Sequence, residues 1–186
     1  MARFTSGRGC KSGTSGGGGG QTSGTGPQAD ASASSSKASK ALTASHVSFI
    51  TMPDSAQGAK KHLRIGGQSK ILMYNRESDD ATLPDLSPQG IAASAALPTG
   101  SWQCFEYHLG ADGTIETWLN GNVIAGLTAK KGVANPNGAQ WQRSSLRPKI
   151  TGVYFGWESY GGDLNTFWYD DIVIGSTRAG CNGTAA

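Results

Sequence analysis

The sequence predicts an all-β chain folded as a two-sheet sandwich or jelly roll. Three observations carry this. Short apolar–polar alternations recur from residue 46 onward, separated by Gly, Asn, Asp and Pro. No window of about three helical turns shows a helical period. Asn120 and Gly121 join two alternating runs with the dipeptide that suits a two-residue hairpin.

The elements follow in order. Residues 46–52 are a β-branched and aromatic run. Residues 61–65 alternate polar and apolar, and Gly66 and Gly67 end or bend that strand. Residues 70–74 form the next strand. Residues 77–101 are polar and Pro-rich, and read as a long loop with room for one short strand. Residues 102–109 are a strand, Asp112 and Gly113 a turn, 114–119 a strand, and 122–127 its hairpin partner. Residues 150–160 and 166–174 are the last two strands.

Composition places the domain. Residues 1–40 of the 186 hold ten Gly and nine Ser but one aromatic, Phe4. Such a segment buries too little apolar surface to offset its ordering entropy. Residues 1–41 are therefore expected to be a disordered linker, 42–182 the folded domain and 183–186 a tail. The linker also carries the charge: five basic residues against Asp30, leaving 11 basic and 12 acidic residues beyond it. The domain is thus not a basic nucleic-acid binder. No apolar run approaches the ~20 residues of a membrane span, and the first residues lack the apolar core of a secretory signal. The expectation is a monomer with neither nucleic-acid nor membrane partners.

Cys104 and Cys181 fall in the domain and Cys10 in the linker, with no zinc-like spacing. Cys104 and Cys181 are expected to pair, two buried free thiols being the alternative. Cys10 is the odd thiol either way.

Strand alternation sorts the polar residues. Leu63 and Ile65 share one face; His62, Arg64 and Gln68 share the other, beside two glycines that let a ligand approach the backbone. Val153, Phe155 and Trp157 read as inter-sheet core. Tyr154, Gly156, Glu158 and Tyr160 lie opposite, a row that suits sugar rings and hydroxyls. Ordinary solvent exposure is the alternative for the first row, and half-buried strand tyrosines for the second. In 166–174, one of Asp170 and Asp171 must point inward or into a covered site, toward Ca²⁺, a salt bridge or a backbone N–H.

Four segments carry a resemblance: LMYNRESDDATLPDLSP at 72–88, WQCFEYHLG at 102–110, GTIETWLNG at 113–121 and FGWESY at 155–160. Together they resemble the cellulose-induced secreted proteins of cellulolytic fungi and actinomycetes, a family similar to glucuronan and alginate lyases. The likeness runs from about His46 to Cys181. It implies a β-jelly-roll (concanavalin-like) sandwich, incomplete here at its N-terminal strands, and an extracellular protein of plant-biomass degradation. It implies a structural Ca²⁺ with Asp170 among its ligands, and a Cys104–Cys181 disulfide. It also implies a cleft of His62, Arg64, Gln68 and Asp80, with Tyr160 where lyases of this kind hold a catalytic Tyr.

A uronate lyase removes the proton α to the sugar carboxylate and expels the 4-oxygen. Arg64, helped by Gln68, would neutralise the carboxylate. His62 or Tyr160 would take the proton, Tyr160 could protonate the leaving oxygen, and Asp80 would orient His62 or Arg64. The competing class is a non-catalytic carbohydrate-binding sandwich using Tyr154 and Glu158. Glu106 and Glu116 offer a glycosidase pair, but the close-spaced acidic run of sandwich glucanases is absent. The partner in each case is a polysaccharide, a uronan or a plant cell-wall glycan.

Overall fold

The structure is a computed structural model that describes residues 46–97, 100–142, 147–160 and 167–181, with the backbone of Ser35–Ser36. The linker and tail expected at 1–41 and 183–186 lie outside the described residues, apart from that dipeptide, and so does Cys10. Among the described residues there are ten strands: β1 Ser35–Ser36, β2 Val47–Pro53, β3 His62–Gln68, β4 Ile71–Arg76, β5 Ala81–Leu83, β6 Phe105–Leu109, β7 Ile115–Leu119, β8 Asn122–Val123, β9 Tyr154–Ser159 and β10 Tyr169–Asp170. They form an antiparallel five-stranded sheet in the order β5-β4-β3-β2-β9, a three-stranded sheet β6-β7-β8, and the pair β1-β10. The chain is an all-β sandwich.

The core lies between the two larger sheets. Ile50, Met52, Leu63, Ile65 and Tyr74 face it from one side, and Phe105, Tyr107, Leu109 and Ile115 from the other. Period-two alternation explains this assignment. A hydroxyl pair crosses the core: the Tyr74 hydroxyl lies 2.7 Å from Thr117 Oγ1. Thr117 Oγ1 donates to the Leu127 carbonyl at 3.1 Å, so its single hydrogen is committed and Tyr74 is the donor to it.

Three departures from the sequence reading have local causes. The long loop contains β5 and a short helix, α1 Pro88–Ala93. Ser87 caps the helix by accepting the Gly90 N–H, and Pro88 opens its first turn. One and a half turns are too few to show a period. The hairpin return at 122–127 is a strand only through Val123, after which Ala125–Leu127 coils into a 3₁₀ turn. The strand expected over 166–174 shrinks to β10; Ile172, Val173 and Ile174 are exposed and outside any strand. Asn120 and Gly121 do turn the hairpin, at φ 52° and 83°.

The glycines beside the polar row serve the fold. A Cβ on Gly66 would collide with the Val47 carbonyl and Ser48 Cα, and one on Gly67 with the Leu97 side chain. Their missing side chains admit the neighbouring strand and loop, not a ligand. The close approach at Gly66 coincides with the bulge between Ser48 and Ile50 on β2.

Candidate functional site

The outer face of the five-stranded sheet carries a continuous polar network. β3 supplies His62 and Arg64, as alternation requires. Register places Arg64 between Thr51 on β2 and Asn75 on β4, and Thr51 beside Tyr154 on β9. The centre of the network is Glu77, just beyond β4. Its Oε2 lies 2.7 Å from His62 Nδ1 and accepts the His62 backbone N–H at 3.0 Å and Arg64 Nη1 at 2.7 Å. Lys61 Nζ stands 3.8 Å from the other oxygen. Burial alone would raise the Glu77 pKa, but the His62 hydrogen bond and the Arg64 charge outweigh it and hold the carboxyl below its usual range.

Arg64 links this cluster to a second one. Its Nε is buried without a hydrogen bond, 3.7 Å from Glu158 Oε2. The same carboxylate oxygen accepts the Tyr160 hydroxyl at 2.8 Å. The Arg64 guanidinium sits 5.8 Å from the Tyr160 ring centroid, and the His46 ring lies against that ring at 4.8 Å. Tyr160 is placed by its backbone N–H, which donates to the His46 carbonyl at 2.9 Å. Burial raises the Tyr160 pKa, and the bond to Glu158 adds to this, so the phenol keeps its proton. Burial lowers the His46 pKa and Arg64 lowers it further, while Asp80 and Glu158 oppose them; the imidazole is held neutral.

The expected residues are thus distributed unequally. His62, Arg64, Glu158 and Tyr160 share one network. Gln68 is half-buried at the far end of β3. Asp80 is exposed at φ 53° in the turn before β5, and its charge is felt at His46. Tyr154 lies on the same face, 39% exposed. Trp157, expected in the core, is 43% exposed, whereas Phe155 packs on the core as alternation required.

These features sit on a sandwich whose relatives can be compared. The pattern described as "Polysacc_lyase-like: Cip1-like, core domain" matches residues 19–177. The chain belongs to the Cip1-like family. Among solved structures, one titled "Cellulose induced protein, Cip1" is 64% identical with a TM-score of 0.80, over 84% of this chain and 72% of that one. No curated protein matches. The match begins at residue 19, ahead of His46, where the resemblance in sequence began.

In this Cip1-like chain Cys104 and Cys181 are joined, with Cα atoms 5.7 Å apart. The disulfide closes the C-terminal segment over Glu106, which is fully buried on the outer side of β6. Glu106 accepts Arg178 Nη2 at 2.8 Å and the Gly180 N–H at 2.9 Å, and Arg178 stacks on Trp118 at 4.3 Å. A carboxylate sealed in this way is structural, not half of a glycosidase pair.

Asp170 and Asp171 are both exposed, so neither is the inward carboxylate that alternation demanded; the strand ends between them, with Asp171 at φ 50°. Asp170 Oδ1 accepts the Asp171 N–H at 2.9 Å. Among the described residues, the one grouping of three potential Cys, His or carboxylate ligands is Cys104, Glu106 and Cys181, whose thiols are consumed by the disulfide. Asp170 belongs to no such grouping among the described residues.

Glu77 and His46 were missed from sequence. Glu77 lies within the 72–88 segment, but nothing local shows that the β4–β5 turn folds it back onto β3. His46 immediately precedes β2 with no motif around it, and only the β2–β9 register brings it to Tyr160.

Proposed function

We propose that the polar face binds a uronic-acid-containing polysaccharide of the plant cell wall and cleaves it by β-elimination, and that the protein acts outside the cell. The observation that carries this reading is the contact of Tyr160 with both His46 and Arg64 on an open sheet face. The Cys104–Cys181 disulfide suits an oxidising compartment. The solved relative is named as a cellulose-induced protein.

The division of labour follows from protonation. Arg64 offsets the uronate carboxylate, which acidifies the α-proton. His46, neutral, takes that proton. The electron pair forms the carbon–carbon double bond and the 4-oxygen leaves. Tyr160, still protonated, donates its phenolic hydrogen to the departing oxygen. His62, bonded to Glu77, is proposed to hold Arg64's partner in place. Gln68 and Asp80 are proposed to contact the chain further along the face.

A second reading, glycan binding without cleavage, is favoured by one feature. Arg64 already faces two carboxylates, Glu77 and Glu158, while the Tyr154 and Tyr160 rings are open to sugar stacking. Incubation with glucuronan and alginate, followed by absorbance of the conjugated unsaturated uronate, separates the two. Growing absorbance supports elimination. Saturable binding with a flat trace supports the binding module and overturns the lyase reading.

A further inference from the structure

The position that a uronate carboxylate would take on this face is occupied by the protein itself. The Arg64 guanidinium defines that position, and the Tyr160 hydroxyl, which would meet the sugar's 4-oxygen, borders it. Glu158 Oε2 touches both, at 3.7 Å from Arg64 Nε and 2.8 Å from the Tyr160 oxygen. Arg64 Nε has no hydrogen-bond partner although it is buried. Arg64 Nη1 is already committed to Glu77. The Nε edge is therefore the side of the guanidinium with unspent donor capacity, and Glu158 stands over it without satisfying it. Glu158 is not wedged there: its side chain is 54% exposed, against 13% for Arg64.

We propose that Glu158 is a specificity-determining residue, an internal carboxylate that competes with a uronate for Arg64 and Tyr160. The inference rests on the polar face being the glycan site and refines it. A uronate can pair with Arg64 only after Glu158 swings outward, because two carboxylates at that spacing repel. A neutral sugar meets no such competition, since its hydroxyls can donate to Glu158. The face as built thus admits a uronate at the cost of moving one exposed side chain, a cost that a neutral residue does not meet. β9 sets this up through its register, which lays Glu158 opposite Ser48 on β2, one residue pair away from the Val47–Ser159 pair that leads to Tyr160.

The test is titration calorimetry of the full chain with a glucuronic-acid oligosaccharide and a neutral cello-oligosaccharide of equal length. Glu158→Gln is expected to raise the uronate-to-neutral affinity ratio about tenfold, the scale of one charge-assisted contact regained. Glu158→Asp, which keeps the charge but shortens its reach, is expected to raise the ratio less. Glu158 is exposed, and circular dichroism checks that each variant keeps the fold. An unchanged ratio in Glu158→Gln, with uronate binding still lost in Arg64→Met, overturns the competition but leaves the polar face as the glycan site. Glycan binding that survives both Arg64→Met and Tyr160→Phe unchanged overturns the site and the competition together.

Discussion

Glu77 and His62 are joined twice: the same carboxylate oxygen lies 2.7 Å from His62 Nδ1 and 3.0 Å from the His62 backbone nitrogen. With Arg64 Nη1 also on that oxygen, one side chain fixes the start of β3 and aims its cation. Acid should undo this. The folded Glu77 pKa is depressed, so its contribution is complete above the unfolded carboxylate value of 4.5 and is lost as pH falls through the lower folded value. Glu77→Gln should cost about 1–2 kcal/mol near neutral pH and flatten the stability profile below pH 4.5. Urea midpoints at a series of pH values check this; parallel profiles for the two proteins would refute it.

The two sheets are pinned by Tyr74 and Thr117, and the pin is asymmetric. Thr117 passes its hydrogen to Leu127, so Tyr74→Phe removes one donor and leaves Thr117 still bonded. Its expected cost is about 1 kcal/mol. Thr117→Val strands the Tyr74 hydroxyl in a core where it is fully buried, and also frees the Leu127 carbonyl. Its expected cost is about 2–3 kcal/mol, and the double variant should cost less than the two singles combined. Guanidinium unfolding of the four proteins checks the order.

How much of this was legible in the sequence depends on the range of the interaction. The core strands β2, β3, β4, β6 and β7 were readable because alternation is local and the two faces differ in polarity. The Asn120–Gly121 hairpin was readable because φ above zero selects those residues. Alternation also put His62 and Arg64 on one face. It failed at 171–174, where exposed Ile and Val imitate a strand but pair with none among the described residues. It was silent on Glu77, His46 and the Glu106–Arg178 clasp, which depend on contacts across 15, 114 and 72 positions of chain and leave no periodic mark.

The C-terminal clasp should respond unequally to its two charges. Arg178→Ala leaves Glu106 buried and unpaired except for the Gly180 N–H, and is expected to cost about 3 kcal/mol or more. Glu106→Gln keeps an acceptor for Gly180 and removes the buried charge, so it should cost less. Reducing Cys104–Cys181, which closes a separation of 77 residues, should lower stability by about 2–5 kcal/mol. Thermal melts with and without reductant test this, and a melting point unmoved by reductant would count against the clasp.

The proposed cleavage depends on His46 and Tyr160 as a pair. If His46 is the base and Tyr160 the acid, both must be neutral at once. His46 sits below its ordinary 6.5 and Tyr160 above its ordinary 10.0. The rate of unsaturated-product formation should then be flat across neutral pH, with an acid limb below 6.5 and an alkaline limb above 10.0. The sign is fixed by the shifts: protonating His46 removes the base, and ionising Tyr160 removes the acid. His46→Ala and Tyr160→Phe should each lower kcat by roughly 10²–10⁴, with KM moving less because Arg64 and the tyrosine rings still hold the chain. His46→Ala should also abolish the acid limb of whatever activity survives. An acid limb retained in His46→Ala but absent from His62→Ala would transfer the role of base to His62, and with it the site of proton removal to the Glu77 end of β3.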